Sequence, residues 1–221
     1  PDMLAFVQRL RTVLPCHLIV VDIDDGYCDT EVACHVVRQL ADIGASAVVL
    51  EDQLRPRRCG HLDGKQIMER GAYLEKLSKV LACRGDMLVI ARTDATDEQE
   101  ARARAAAFAE AGADAILMEA VKSLSILTEI KQQLQRPLVF NQIAGGKSPP
   151  ATLSELRAAG VSLVNYSTPC LFAAQTAIDV SMQALLAADG RLPDVAPGIV
   201  DVKTCNELLH QNLSGLSLPK G

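Results

Sequence analysis

Apolar residues along this chain fall into two alternating patterns. One is a set of short runs that close on polar residues: His17 to Asp22, Ala47-Val48-Val49-Leu50, Met87-Leu88-Val89-Ile90-Ala91, Ala115-Ile116-Leu117-Met118, Pro137-Leu138-Val139-Phe140 and Leu163-Val164-Asn165-Tyr166. Such runs are too short for helices and read as strands buried on both faces, as in a parallel sheet. Between them, apolar residues recur at helical spacing. Leu4, Phe6, Val7, Leu10, Val13 and Leu14 form one face of a helix that Pro15 ends. Val32, Val36, Val37, Leu40 and Ile43 form the next, capped by Asp29 or Thr30 and stopped by Gly44. Helices are also predicted over 67–83, from the capping box Thr96-Asp97-Glu98-Gln99 to about 111, over 123–134, after the capping box Thr152-Leu153-Ser154-Glu155, over 171–188, and briefly near 206–210. The segment Ala41-Asp42-Ile43-Gly44-Ala45-Ser46-Ala47-Val48 is echoed by Ala109-Glu110-Ala111-Gly112-Ala113-Asp114-Ala115-Ile116, and more loosely at Ala159-Gly160-Val161. Each copy is a helix end, a Gly stop and a strand start.

Strand and helix alternate with short connections, which means parallel strands and right-handed crossovers. No Gly-x-Gly-x-x-Gly follows a strand, so a dinucleotide-binding fold has no local support. The other α/β architecture is a (β/α)8 TIM-type barrel, whose site lies at the C-terminal ends of its strands. Six strands are counted, so on this reading the barrel lacks its first two βα units. Residues 1–188 make up the barrel, and 189–221 a C-terminal helical extension.

The strand ends carry the chemistry. They read Asp22 and Asp24, Glu51 and Asp52, Arg92 and Asp94, Glu119, Asn141, Asn165. In a parallel sheet these ends share one rim. A single polar strand end is a turn former; six in succession make a site. Asp22 and Asp24 alternate with Ile23 and so face one side of a strand. With Glu51 they form a hard oxygen set suited to Mg2+, or Mn2+ in its place. Asp25 points elsewhere and is left out. Arg92 can grip a substrate carboxylate in a two-point pair, or serve only as counter-ion to the carboxylates.

A polar segment over 53–65 is too long for a tight turn and reads as a functional loop. In Arg57-Arg58-Cys59-Gly60-His61 a thiol is flanked by cations, which favours its acidification and a role as proton donor or nucleophile. The bland alternative is a basic solvated loop. No pair among Cys28, Cys34, Cys59, His35 and His61 has the Cys-x2-Cys spacing of structural zinc, and Cys34 falls on a helix face as core.

Composition narrows the partners. The net charge of −5 argues against nucleic acid, and no unbroken apolar run reaches the roughly 18 residues of a membrane span. Seven scattered cysteines point to a reducing compartment, taken as the cytoplasm.

Val21-Asp22-Ile23-Asp24-Asp25-Gly26-Tyr27, Leu50-Glu51-Asp52-Gln53, Arg57-Arg58-Cys59-Gly60-His61, Ile90-Ala91-Arg92-Thr93-Asp94-Ala95, Met118-Glu119-Ala120, and Asn141 with its downstream Gly145-Gly146-Lys147 occur here in this order. Together they resemble the isocitrate lyase and phosphoenolpyruvate mutase superfamily. Gly145-Gly146-Lys147-Ser148-Pro149 looks closer to its dimethylmalate lyase and carboxyphosphonoenolpyruvate-mutase-like members than to isocitrate lyase proper. The resemblance implies a homotetramer that exchanges C-terminal helices, with Mg2+ bound through Asp22, Asp24 and Glu51. It implies that Arg92 contacts a substrate carboxylate while Glu119, Asn141, Arg58 and Gly60 line the pocket. It further implies a retro-aldol carbon–carbon lyase acting on a 2-hydroxy di- or tricarboxylate, with Cys59 and His61 on the gating loop and Cys59 protonating the leaving fragment. Three departures stand out: Arg57-Arg58 where the lyases carry Lys-Lys or Lys-Arg, Cys28 where the family has Gly, and the missing opening strands. The alternatives are phosphonate chemistry of the same superfamily, against which the Cys-Gly-His loop counts, and an inactive barrel with a structural role.

Overall fold

The computed structural model describes residues 2–27, 29–192 and 200–215. Cys28 and the rest of the tail lie outside them. Two compact units are present, Pro1–Ser167 and Thr168–Gly221.

The first unit holds six strands, β1 (Val20–Asp22), β2 (Ala47–Glu51), β3 (Leu88–Thr93), β4 (Ala115–Met118), β5 (Leu138–Ile143) and β6 (Val161–Ser167). They pair in sequence order, all parallel, as a curled and open part of the eight-stranded barrel. The helices are α1 (Asp2–Val13), α2 (Thr30–Asp42), α3 (Arg70–Cys83), α4 (Glu98–Glu110), α5 (Leu124–Gln133) and α6 (Leu153–Ala158).

Strand periodicity sorts the sheet into two faces. Val48 and Leu50, Val89 and Ala91, Ile116 and Met118, Leu138 and Phe140 pack outward with the helices in the main core. Ala47, Ile90, Leu117 and Val139 form a separate cluster with Val49 on the inner face. The register sets Glu51 beside Arg92 and Asn141 beside Asn165. One residue beyond each inner apolar position therefore comes an outward one, and the next inward position is the polar strand end.

Several local expectations shift. In α1, Phe6 and Val13 are exposed and only Val7 is fully buried, because α1 packs mainly against α2 with one narrow edge. In α2, Asp29 caps by accepting from the Val32 amide, and Cys34 is core. The cap of α4 is Asp97 with the Glu100 amide, one residue later than the Thr96 box. The Thr152–Glu155 box is present as read. β1 starts at Val20, leaving Leu18 exposed. The three repeated stops Gly44, Gly112 and Gly160 all have positive φ, which an L side chain resists.

The second unit holds α7 (Pro169–Ala187) and α8 (Val202–Gly215). By length and mean hydropathy of 1.4, α7 could cross a membrane, although polar residues interrupt its apolar run. α8 is longer than the short helix expected near 206–210.

Candidate functional site

The inner-face rule brings Asp22, Glu51, Arg92, Glu119 and Asn141 to one mouth. Asp22, Arg92 and Asn141, with Val20, Val49, Ile90, Leu117 and Val139, line a cavity of about 210 Å3 on that face. Its floor is apolar and its rim is polar.

Arg92 is the hub. Its Nε and Nη2 donate to Asp94 at 2.8 and 3.2 Å. Nη2 lies 3.4 Å from Glu51, Nε 3.6 Å from Glu119 and Nη1 3.9 Å from Asp22. Burial opposes its charge, but Glu119, Asp94 and Glu51 outweigh that and push its pKa further up. Glu51 responds the other way. Its side chain is 2% exposed, and desolvation raises its pKa to about 7, with Arg92 only partly offsetting the rise. Asp22 is also raised by desolvation, although half its side chain faces solvent. For Glu119 burial alone would raise the pKa; contact with His61, Arg92 and Asn141 overcomes it and holds the group below the ordinary range.

Asp24 reaches the site by a different route from the expected strand alternation. β1 has ended, and Asp24 sits in the following turn with φ 55°, its amide donating to Asp22 Oδ1 at 3.0 Å. The turn, rather than the pleat, sets its direction. Asp25 is buried and held by two bonds from Arg55, at 2.7 and 2.9 Å. Asp52, next to Glu51, faces away from the mouth. It accepts from Thr93 Oγ1, the Asp94 amide and Arg104, and so ties β2 and β3 to α4.

The 53–65 loop lies over this mouth. The Gln53 side chain bonds both the amide and the carbonyl of Arg58, at 3.0 and 2.9 Å. Lys65 donates to the Gly60 carbonyl and to Asp94. Gly60 is buried where an added Cβ would come 2.6 Å from Arg92 Nη2 and 2.8 Å from Asp94 Oδ1. Only glycine permits that approach. His61 is buried as well. Its Nδ1 accepts from the Lys147 amide at 2.9 Å, which leaves Nε2 to carry the proton. Nε2 lies 2.6 Å from Glu119 Oε1, a close polar contact out of line with the N–H direction rather than an aligned hydrogen bond. Arg58 and Cys59 are exposed, and the Arg58 side chain donates to the Asp63 carbonyl. Of the residues read from sequence, these two stand outside the assembled mouth.

Asn141 donates to Glu119 at 3.0 Å and accepts from Ser167 Oγ and Asn165 Nδ2. Lys65 is passed over by sequence reasoning, and Arg57 and Lys147, both named in motifs, are read there without the partners they meet. Arg57 is visible as a cation in the loop, while nothing near Lys147 signals a partner 86 residues away.

Among the described residues, no three His, Cys, Asp or Glu side chains form a ready-made metal cluster. The donor chemistry nevertheless fits a hard divalent cation: Asp22, Asp24 and Glu51 offer carboxylate oxygens, and a buried Glu51 ionises readily only beside added positive charge. Arg57 stands among those oxygens.

The family model for phosphoenolpyruvate phosphomutase matches residues 1–186. A 2-methylisocitrate lyase of Aeropyrum pernix is 33% identical over 171 residues, covering 76% of this chain and 56% of that protein. The chain spans about three fifths of the length of the first curated relatives it matches. A crystal structure of 2,3-dimethylmalate lyase, a PEP mutase/isocitrate lyase superfamily member, superposes with a TM-score of 0.86 at 26% identity, over 97% of this chain and 73% of the other. A phosphonopyruvate hydrolase complex with oxalate and Mg2+ gives a TM-score of 0.76 at 26% identity, over 96% and 76%.

Proposed function

The chain belongs to the phosphoenolpyruvate phosphomutase family, and from that premise we propose that its strand-end site serves a Mg2+-dependent carbon–carbon lyase. The substrate is a 2-hydroxy di- or tricarboxylate, and the products are a 2-oxo acid and a second carboxylate. The observation that carries this reading is Arg92, set among Glu51, Asp22, Asp94 and Glu119 at the mouth of a small cavity. The likeness to lyases acting on such acids supports it.

Asp22, Asp24 and Glu51 would hold the metal. When bound, Mg2+ supplies positive charge that stabilises oxyanions of the 2-oxo acid. The chain's own residues do the rest. Asp94 occupies Nε and Nη2 of Arg92, so Nη1 is the donor turned to a substrate carboxylate. Asn141 takes the second carboxylate, joined by Arg58 once that side chain swings in from its exposed position beside the Asp63 carbonyl, and Gly60 brings the loop backbone against the ligand. Glu119, kept ionised, accepts the proton of the 2-hydroxyl group, and His61 Nε2–H steadies its charge. The carbon–carbon bond then breaks towards the fragment that becomes an aci-carboxylate, and Cys59 Sγ–H protonates its carbon. Since the thiol is exposed, delivery requires Cys59 to turn inward from the loop that lies over the mouth, where buried Gly60 and His61 keep water out. The working form is a cytoplasmic homotetramer, with the segment after residue 188 packed on a neighbouring subunit.

The test is a screen of 2-hydroxy acids for release of pyruvate or glyoxylate with Mg2+. Release should vanish with EDTA and in Cys59→Ser. Undiminished release in that variant would remove the general-acid role. Turnover of phosphonopyruvate, followed by phosphorus NMR, would move the chain to the phosphonate branch.

A further inference from the structure

Two of the three carboxylates that would hold the metal, Asp24 and Glu51, are already engaged by a cation of the chain itself. Arg57 meets Asp24 as a two-point fork, Nη1 at 2.6 Å from Oδ1 and Nη2 at 2.8 Å from Oδ2. The same Nη1 lies 3.4 Å from Glu51 Oε1. Its Nε is 3.4 Å from Asp25, but Arg55 already neutralises that residue. The guanidinium thus serves Asp24 and Glu51, and does so with the planar geometry that suits paired oxygens.

We propose that Arg57 is a tethered competitor of the divalent cation, which takes the same oxygens of Asp24 and Glu51 and binds only as Arg57 withdraws. The inference rests on the metal reading given above. A Mg2+ ion sits roughly 2.0–2.1 Å from its oxygen ligands. Placed on the oxygens Arg57 contacts, it would occupy the lone pairs of Asp24 and Glu51 that the guanidinium now takes and bring two positive charges within a few ångströms of a third. One of the two cations must leave. Arg57 is the one able to go, since 30% of its side chain is open to solvent. Arg92, only 10% exposed and touched by four carboxylates, stays in place. Arg57 therefore sets how tightly the site binds its cation, and it releases one tie between the loop and the turn after β1 when the cation enters. The coupling is reciprocal, as any linkage between two binding events must be.

The experiment is Mn2+ titration of the purified chain, counting free Mn2+ by electron paramagnetic resonance at low ionic strength, with no substrate present. Arg57→Met should bind Mn2+ roughly tenfold or more tightly than the unsubstituted chain, because it removes the competing charge. Arg57→Gln, which keeps polarity and folds in the same space, should do the same. Arg57→Lys, a point charge without the fork, should fall between. Equal or weaker binding in both Arg57→Met and Arg57→Gln overturns the competition while leaving the metal reading intact. Absence of Mn2+ binding in every chain, including the unsubstituted one, overturns the metal reading and the competition with it.

Discussion

Replacing Glu51 with Gln tests the electrostatics of the mouth without disturbing its shape. The Glu51 side chain is 2% exposed, and its pKa lies at about 7 against an ordinary value of 4.5. Desolvation is the leading cause, offset in part by Arg92. In the unfolded chain the group titrates at its ordinary value, so between about pH 4.5 and about pH 7 the folded chain binds more protons than the unfolded one. Stability from this group is therefore lost as pH rises through that window. A tenfold difference in proton affinity between the two states is worth about 1.4 kcal/mol, so the loss approaches about 3 kcal/mol at pH 8 and is about 1 kcal/mol at pH 5. The Gln variant does not titrate and loses nothing over this range. Urea unfolding followed by far-ultraviolet circular dichroism in EDTA should show the variant close to the parent near pH 4, and more stable by about 3 kcal/mol near pH 8. A difference that stays flat across this range, or a parent that gains on the variant as pH rises, would refute the picture of a carboxylate held against its own charge.

Glu119→Gln should behave with the opposite sign. Its contacts with His61, Arg92 and Asn141 hold the pKa below the ordinary value despite burial, so its stabilisation is present above about pH 4.5 and lost as pH falls through the folded value. The variant should cost on the order of 2 kcal/mol at neutral pH, with the gap closing in acid, and urea titrations at the two pH values decide it. Gly60→Ala should lift the loop from Arg92 and Asp94, which its Cβ would approach to 2.6 and 2.8 Å. Product release should fall roughly hundredfold, while urea stability changes by less than about 1 kcal/mol because the loop lies outside the core.

Much of this architecture is legible from periodicity. Runs such as Val48-Val49-Leu50 and Leu138-Val139-Phe140 announce strands covered on both sides, and six of them separated by helices leave little choice but a parallel sheet. The rim residues follow from the same count, because Glu51, Arg92, Glu119 and Asn141 each come two positions after an inner-face residue, namely Val49, Ile90, Leu117 and Val139. Asp24 arrives on the side that alternation predicts, but a turn with positive φ brings it there in place of a strand. The loop is harder. Arg57, Arg58 and Cys59 are neighbours in sequence, yet one reaches Asp24 and the other two face solvent.

By itself the sequence determined which residues face inward, because the alternation of a strand is a property of adjacent residues and needs nothing distant to enforce it. Tertiary structure decided the pairings: Lys147 fixing the His61 tautomer, Asp94 occupying one edge of Arg92, and Arg57 engaging the carboxylates. These depend on how separate loops close on one mouth, where burial and charge balance choose among many partners that local pattern leaves equivalent.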